Sequence, residues 1–361
     1  MTQILKDSFG CDFAVRLDAS RKGTPIRLLQ VTDMQVIDAE QRRTPDRLRP
    51  DEIAAWKPDL MEAQFGDHMR SLIAQTAPDM IFLTGDLVYG SFDDRGTTFE
   101  WFCKTMDSFR IPWAPVFGNH DNESQKGVLW QCARFESSEY CMFRRGSVTG
   151  NGNYSVGVVV GDELIRVLYM LDSNGCRATA DPLVQKEEGI YADQFAFLEA
   201  SAEKIRASQG KTIPSFLAFH IPTKEFDEIE RIKGYRTDER PRFTIGVDVP
   251  ACDGDFGCNY NDCRHFAKTE GDFSALLRAV SADGVFVGHC HTNNSVITYD
   301  GVRYVYGLKT GQYDFHIPGQ MGGTLVRLEG DGFEVSHVHA LVPFAPFPGG
   351  SSIFSDFFAK V

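Results

Sequence analysis

The chain contains 361 residues, of which 42% are hydrophobic and 24% charged, and its formal net charge is −13. This composition is typical of a globular protein with apolar material for one large core or two modest ones. The acidic balance argues against a nucleic-acid polymer or an anionic membrane as the main partner, because both attract basic surfaces. A local cationic centre, such as bound metal ions, is compatible with it.

The N-terminal sequence leads us to expect a cytoplasmic protein. The first residues, MTQILKDSFG, have no basic head and no apolar signal core, and no apolar run is long enough to span a membrane. The nine cysteines include a group at Cys252, Cys258 and Cys263 that contains no C-x-x-C pair, which argues against a zinc site. Because the cysteine count is odd and this large chain has no export signal, we expect reduced thiols rather than a disulfide framework.

Short apolar runs recur along the chain, and each ends at a turn or a polar cluster. Their lengths predict buried strands at RLLQV before Asp33, MIFL before Thr84, WAPVF before Gly118, RVLYML before Asp172, FLAF before His220 and VFV before Gly288. Helical spacing of apolar residues predicts helices at 67–77, 192–208 and 273–281. This alternation indicates an α/β domain, and GVRYVYGLK, GGTLVRLEG and GFEVSHVHALV predict a β-rich closing section.

We interpret residues 1–361 as a single domain with two segments outside the alternating pattern. Residues 38–60 are charged and contain several prolines, which indicates a solvated insertion, although their position just after Asp33 leaves a lid role open. Residues 340–361 carry many phenylalanines. We expect this tail to pack back on the domain or on a second subunit, because an exposed apolar stripe would favour aggregation.

Side chains able to bind metal follow most of the predicted strands. They are Asp33, Asp86 and Tyr89 from TGDLVY, Asn119, His120 and Asp121 from GNHDN, His220 from FHIP, and His289 and His291 from GHCHTN. Each has an ordinary alternative, since an aspartate after a strand is often a turn former or helix cap. Ligands of an open α/β sheet gather at the carboxyl ends of strands, so the ordered set as a whole predicts one metal site.

This ordered set resembles the calcineurin-like metallophosphoesterases, whose pattern is D-x-H, G-D, G-N-H-[D/E], H and G-H-x-H. The resemblance spans residues 27 to about 315. It implies an α/β (α+β) sandwich of two facing mixed β-sheets flanked by helices, with a dinuclear metal centre at one edge. GNGNY, FHIP and YGLKTGQY look more like the purple-acid-phosphatase-related and fungal cell-cycle-regulator-like branches than the nucleases.

The resemblance also implies a reaction and a role for each residue. The reaction is hydrolysis of phosphoric esters by metal-bound hydroxide at two ions of iron, manganese or zinc. Phosphomonoesters are expected as substrates in preference to phosphodiesters. Asp86 would bridge the ions, with Asn119, His220 and His289 completing the second site and Asp33 and His291 belonging to the first. His120 would stabilise the phosphoryl oxygens or protonate the leaving group, with Asp121 orienting its ring. The substrate would be a small phosphorylated molecule or a phosphoprotein.

Gln35 departs from the pattern, because D-x-H is D-x-Q here. An amide oxygen is a weaker donor than imidazole for most transition metals. In one interpretation, Tyr89 compensates for the missing histidine at position 35. The purple acid phosphatases have the pattern G-D-x-x-Y and lack the first-motif histidine, and their tyrosine binds a ferric ion. Tyr89 is only a packing residue in another, and Gln35 then binds through its oxygen or holds a water. In a third, the site has degenerated and the protein binds a phosphorylated ligand or partner without turnover.

Four further residues are candidates for substrate binding. Asn153 lies in the glycine-rich turn GNGNY, which is also an ordinary hairpin pattern. Asn261 and His265 lie in the loop 252–266, which in the family lines the mouth of the active site. Lys309 follows a predicted strand and either approaches the phosphate or caps a turn.

Overall fold

A computed structural model describes residues 2–43, 58–175, 187–260, 265–311 and 316–340. Residues 44–57 of the charged insertion, the tail from residue 341 and Asn261 lie outside these ranges. The lid role, the packing of the tail and substrate binding by Asn261 therefore stay predictions, as does the single-domain interpretation of the whole chain.

The larger sheet has eight strands. In spatial order they are β1 (Gln3–Ser8), β2 (Cys11–Leu17), β6 (Tyr154–Val160), β7 (Glu163–Met170), β9 (Ser215–Ala218), β13 (Ala282–Val287), β15 (Val302–Tyr306) and β14 (Val296–Tyr299). Strands β7, β9, β13 and β15 run parallel to one another, whereas β14 pairs antiparallel with β15 at the edge. The sheet is therefore mixed.

The smaller sheet has five strands and faces the larger one. In spatial order they are β17 (Gly332–His339), β16 (Gly322–Glu329), β3 (Ile26–Val31), β4 (Met80–Thr84) and β5 (Trp113–Val116). Strands β3, β4 and β5 are parallel, and β16 pairs antiparallel with β3. Two short pairs accompany the sheets, β10 (Phe243–Thr244) with β11 (Cys258–Asn259) and β8 (Gly189–Ile190) with β12 (Lys268–Thr269).

Six helices lie within the described residues. They are α1 (Pro58–Thr76), α2 (Thr97–Ser108), α3 (Val128–Ser137), α4 (Ala192–Gln209), α5 (Lys224–Ile232) and α6 (Phe273–Ala279). The predicted helices 192–208 and 273–281 correspond to α4 and α6, and 67–77 is the second half of α1. Across the described part of the chain, no helix has the length and apolar character needed to cross a membrane.

The apolar core lies between the two sheets. Phe82 of β4 packs on Phe286 of β13 with ring centroids 5.4 Å apart, and Phe216 of β9 packs on Phe286 at 5.0 Å. Alternate residues of the larger sheet, such as Leu217 and Val285, belong to a second cluster that includes side chains of α4, α5 and α6. This alternation follows from the period of two in a strand. The predicted sandwich of two mixed sheets flanked by helices is confirmed.

The parallel strands bring the predicted site residues to one edge of the sandwich. Gln30, at the end of β3, joins the two sheets there, because its Nε2 donates to Thr84 Oγ1 at 2.9 Å and to the carbonyl oxygen of Val287 at 3.0 Å. The loops that follow β3, β4, β5, β9 and β13 therefore converge, as expected for the carboxyl ends of strands in an α/β sheet.

Candidate metal centre

Four side chains converge in the arrangement expected of the second metal site. Asn119 Oδ1 lies 3.1 Å from both His220 Nε2 and His289 Nδ1, and Asp86 Oδ1 lies 3.4 Å from His220 Nε2. His220 Nδ1 lies 2.8 Å from the carbonyl oxygen of Thr84, so this nitrogen carries the proton and Nε2 faces the other three side chains. A backbone contact of this kind fixes the tautomer of a metal-binding histidine. The donor set fits a divalent cation.

Three buried side chains form the first site beside it. One ligand atom from each of Asp33, Asp86 and His291 lies within 4.8 Å of the others. Asp33 Oδ2 accepts from Thr32 Oγ1 at 2.7 Å and from the His289 backbone N–H at 3.0 Å. Asp33 Oδ1 accepts no hydrogen bond of ordinary geometry among the described residues, and His291 Nε2 lies 3.2 Å from it. Asp86 therefore belongs to both clusters of side chains.

The backbone of the site is held in conformations that side-chain-bearing residues rarely adopt. Asp33, Gln35, Asp86 and His289 have φ angles of 51°, 46°, 52° and 69°. Left-handed conformations of non-glycine residues cluster at functional sites, where the surrounding structure imposes them. The loops after β4 and β5 also lie close together. A Cβ added to Gly118 would lie 2.1 Å from Asp86 Oδ1. Only glycine fits at this position of the G-N-H-D motif.

The pKa values of the buried carboxyl and imidazole groups are those expected of a site that binds a cation. Burial disfavours the ionised Asp33 carboxyl, but the close contact with His291 and the nearby charges of His220 and Lys309 outweigh it and lower its pKa to about 2. Burial also disfavours protonation of His220, yet the charge and hydrogen bond of Asp86 raise its pKa to about 10. Burial and the charge of His220 lower the pKa of His289 to about 3. The carboxylates are thus anionic, and one histidine carries the charge that a metal ion would replace.

Comparison with known proteins shows the family of the chain. A family model described as calcineurin-like phosphoesterase matches residues 26–293. The chain belongs to the calcineurin-like phosphoesterase family. The resemblance in the strand-end motifs is thereby confirmed, and the matched range contains both candidate sites.

The chain is similar to several known proteins at low sequence identity. The chain is 24% identical over 327 residues to "Probable inactive purple acid phosphatase 29" of Arabidopsis thaliana, covering 82% of this chain and 74% of that protein. It is 27% identical over 238 residues to "Phosphatase DCR2" of Saccharomyces cerevisiae, covering 62% of this chain and 37% of that protein. A crystal structure of a dimetal phosphatase from Danio rerio superposes with a TM-score of 0.49 at 12% identity, covering 88% of this chain and 98% of that one.

His120 lies beside the two sites of this calcineurin-like phosphoesterase and is partly exposed, with a side-chain accessibility of 13%. Its backbone N–H donates to Asp86 Oδ1 at 2.9 Å, so the loop after β5 is fixed relative to the shared carboxylate. Its Nδ1 lies 3.1 Å from Glu123 Oε2, and its ring stacks on Tyr89 with centroids 4.6 Å apart. The imidazole is therefore oriented from two directions.

The Asp121 carboxylate contacts backbone groups of two loops near the site. Its Oδ1 accepts from the backbone N–H groups of Leu87 and Val88 at 2.8 and 3.0 Å, and its Oδ2 accepts from Gly118 N–H at 2.7 Å. Glu123, rather than Asp121, supplies the carboxylate at His120 Nδ1, and a catalytic role of Asp121 stays a prediction. Asp121 joins the loops after β4 and β5. Glu123 was missed, and its only sequence signal is its position three residues after His120, one turn of the short 3₁₀ helix Asp121–Glu123.

We expect Asp121→Ala to destabilise the fold. Three buried backbone N–H groups would lose their acceptor, at a cost of roughly 2–5 kcal/mol in the free energy of unfolding. Urea denaturation of the purified variant measures this loss. Asp162→Ala is the control, since Asp162 pairs with Arg16 at the surface and should change stability by less than about 0.5 kcal/mol. Equal stability of both variants would contradict the role given to Asp121.

The candidate substrate-binding residues differ in their burial and in their contacts. Asn153 is buried, and its amide donates to the Thr149 carbonyl at 2.9 Å and accepts from Gln194 Nε2 at 2.8 Å. These contacts hold the Asn153 amide inside the protein, and substrate binding by Asn153 stays a prediction. His265 is exposed, and its role stays a prediction. Lys309 is buried, and its Nζ donates to Asp33 O and to Gln35 Oε1, both at 2.9 Å. Lys309 therefore contacts the first metal site.

One expectation about the cysteines needs correction. Cys290, which lies between the candidate ligands His289 and His291, is disulfide-bonded. The expectation of reduced thiols is wrong at this position, although Cys11, Cys103, Cys132, Cys141, Cys252 and Cys258 are free. The cytoplasmic location stays a prediction.

Tyr89 is a buried side chain next to the site, and its role as a ligand of a ferric ion stays a prediction. If it ligates Fe(III), the purified protein should show a visible charge-transfer band that Tyr89→Phe removes, because only a strongly acidic ion readily deprotonates a phenol. Absorption spectra of both proteins, with iron measured by elemental analysis, test this. Tyr304→Phe, in a tyrosine of β15, is the control and should keep the band. A colourless enzyme with full activity in manganese or zinc would assign Tyr89 to packing.

Proposed function

We propose that this protein is a metal-dependent hydrolase of phosphoric esters that prefers phosphomonoesters. The observation that carries the proposal is the convergence of seven side chains on two adjacent cation sites with one shared carboxylate. The residues are Asp33, Asp86 and His291 at the first site, Asp86, Asn119, His220 and His289 at the second, and His120 alongside. Iron, manganese and zinc suit these nitrogen and oxygen donors.

Each residue has a defined task in this proposal. When bound, two cations supply Lewis-acid charge for the phosphoryl oxygens and lower the pKa of a coordinated water. Asp86 holds both sites at a fixed separation, and its hydrogen bond to the His120 backbone sets the distance from the sites to the imidazole. Glu123 keeps the proton on His120 Nδ1, so that Nε2 would exchange a proton with the leaving oxygen.

The monoester preference rests on the relatives, whose names describe phosphatases. The test is elemental analysis of protein purified without added metal, followed by hydrolysis assays with an aryl phosphomonoester and an aryl phosphodiester. We expect bound metal and faster turnover of the monoester. Faster turnover of the diester would contradict the preference, and metal without turnover of either class would contradict the proposed function.

A non-catalytic member that binds a phosphorylated ligand or phosphoprotein is the second candidate. Lys309 at the first site favours it, because a buried ammonium there competes with a cation. The name of the Arabidopsis relative, "Probable inactive", supports it as well. The same metal and hydrolysis measurements separate the candidates, since this one predicts less than one metal per chain and no turnover.

A further inference from the structure

Gln35 and Lys309 together fill the side of the first site where the family pattern has a histidine. Gln35 Oε1 accepts from Lys309 Nζ at 2.9 Å, and Gln35 Nε2 donates to Asp86 Oδ2 at 3.3 Å. Exchanging the amide oxygen and nitrogen would place the oxygen against a carboxylate and the NH2 against an ammonium, and both contacts would be repulsive. The oxygen of Gln35, its one atom able to bind a cation, is therefore occupied by Lys309.

Lys309 is held in this position by its own loop. Thr310 N–H donates to the carbonyl of Thr32 at 2.9 Å, and Gly311 N–H donates to the carbonyl of Asp33 at 3.2 Å. The carbonyl of Lys309 accepts from Gly322 N–H at 2.9 Å. The loop after β15 is thus bonded to the loop after β3 and to β16. The backbone that carries Lys309 is thus fixed beside the first site, and its buried ammonium lies within hydrogen-bonding distance of Asp33 O and Gln35 Oε1.

The charge of Lys309 is felt by the ligands of the first site. Its proximity is one of the causes that keep the Asp33 carboxylate ionised. A cation placed among Asp33, Asp86 and His291 would be repelled by this ammonium, since Coulomb energies between charges several ångströms apart reach kilocalories in a protein interior. Among the described residues, no lysine ammonium contacts the ligands of the second site in this way. The four donors of the second site are a carboxylate, an amide oxygen and two imidazoles.

We infer that Lys309 and Gln35 make the two metal sites unequal. The second site binds a divalent cation tightly, whereas the first binds it weakly and fills only at higher cation concentration. The inference deepens the proposed function and rests on the same assignment of ligands, but it concerns binding and holds whether or not the protein turns over a substrate. In a catalytic protein it makes activity depend on free cation above the concentration that fills the second site.

The experiment is a titration of the metal-free protein with Mn²⁺, in which calorimetry measures the binding steps and electron paramagnetic resonance records the spectrum of the bound ions. We expect two binding steps separated by at least about tenfold in dissociation constant. The spectrum should be that of an isolated ion after the first step, with coupling between two ions after the second. Lys309→Met, which keeps the length of the side chain without its charge, should tighten the weaker step by about tenfold or more.

Two controls define the cause. Lys309→Arg keeps the charge and should leave the weaker step weak, and Lys268→Met removes a surface lysine paired with Glu187 and should change neither step. Lys309→Gln is a second neutral variant that retains a donor toward Asp33 O, in case Lys309→Met does not fold. Two equal steps in the wild-type protein would overturn the inference, as would a folded neutral variant whose weaker step is unchanged. Absence of hydrolysis with two unequal steps would reject only the proposed function.

Discussion

Asp86→Asn should lower the turnover of a phosphoric ester by at least about a thousandfold, a loss at the upper end for removing one electrostatic stabiliser from an active site. Asp86 is the one residue common to both candidate sites. Its Oδ1 also accepts from the His120 backbone and its Oδ2 from Gln35. Asparagine has the same shape but no charge. The variant should therefore lose affinity at both sites while its fold is retained.

The measurement pairs kcat/KM on an aryl phosphate with the metal content of the same preparation. Asp93→Asn is the matched control, because Asp93 is a fully buried carboxylate that accepts from the backbone of Thr98 and Phe99 at the start of α2. It should leave both metal content and turnover within about twofold of wild type, as expected of a substitution away from the site. Normal metal content in Asp86→Asn would remove Asp86 from the bridging position.

Most of the site was predictable because apolar runs identify strands and parallel strands end at the same edge. Asp33, Asp86, Asn119, His220, His289 and His291 each follow such a run, and the structure brings all six together. The prediction needed no knowledge of the order of strands within either sheet, since every strand that carries one of these residues ends at the site. Helical spacing of apolar residues separately predicted α4 and α6, whose side chains pack on the larger sheet.

The rest depended on contacts that no local pattern encodes. The pair of Lys309 with Gln35 joins residues 274 positions apart, and it exists because the loop after β15 is bonded to the loop after β3. Asn153 is directed inward by Gln194 of α4, although its turn looks like an exposed hairpin. The contact of Glu123 rather than Asp121 with His120 Nδ1 depends on the direction of two side chains in a single 3₁₀ turn. Such directions follow from tertiary packing rather than spacing.

The second large effect is expected at His120. His120→Ala should lower turnover by about a hundredfold or more, the usual contribution of a general acid or base. Its metal content should stay normal, because the ligands at both sites remain and the contact with Asp86 is made by the backbone N–H. Steady-state kinetics with elemental analysis measure both quantities. Near-normal turnover would exclude His120 from the chemistry, and loss of metal would make it a structural part of the site.

A double-mutant cycle then tests how His120 is positioned. Glu123→Gln alone should lower turnover by about tenfold, as for partners that orient a functional histidine. In the His120→Ala background the same change should have almost no further effect, because residues that act as one unit are not additive. Glu100→Gln is the control, since Glu100 pairs with Arg134 at the surface. An additive double mutant would mean that Glu123 acts on stability or on substrate rather than through the imidazole.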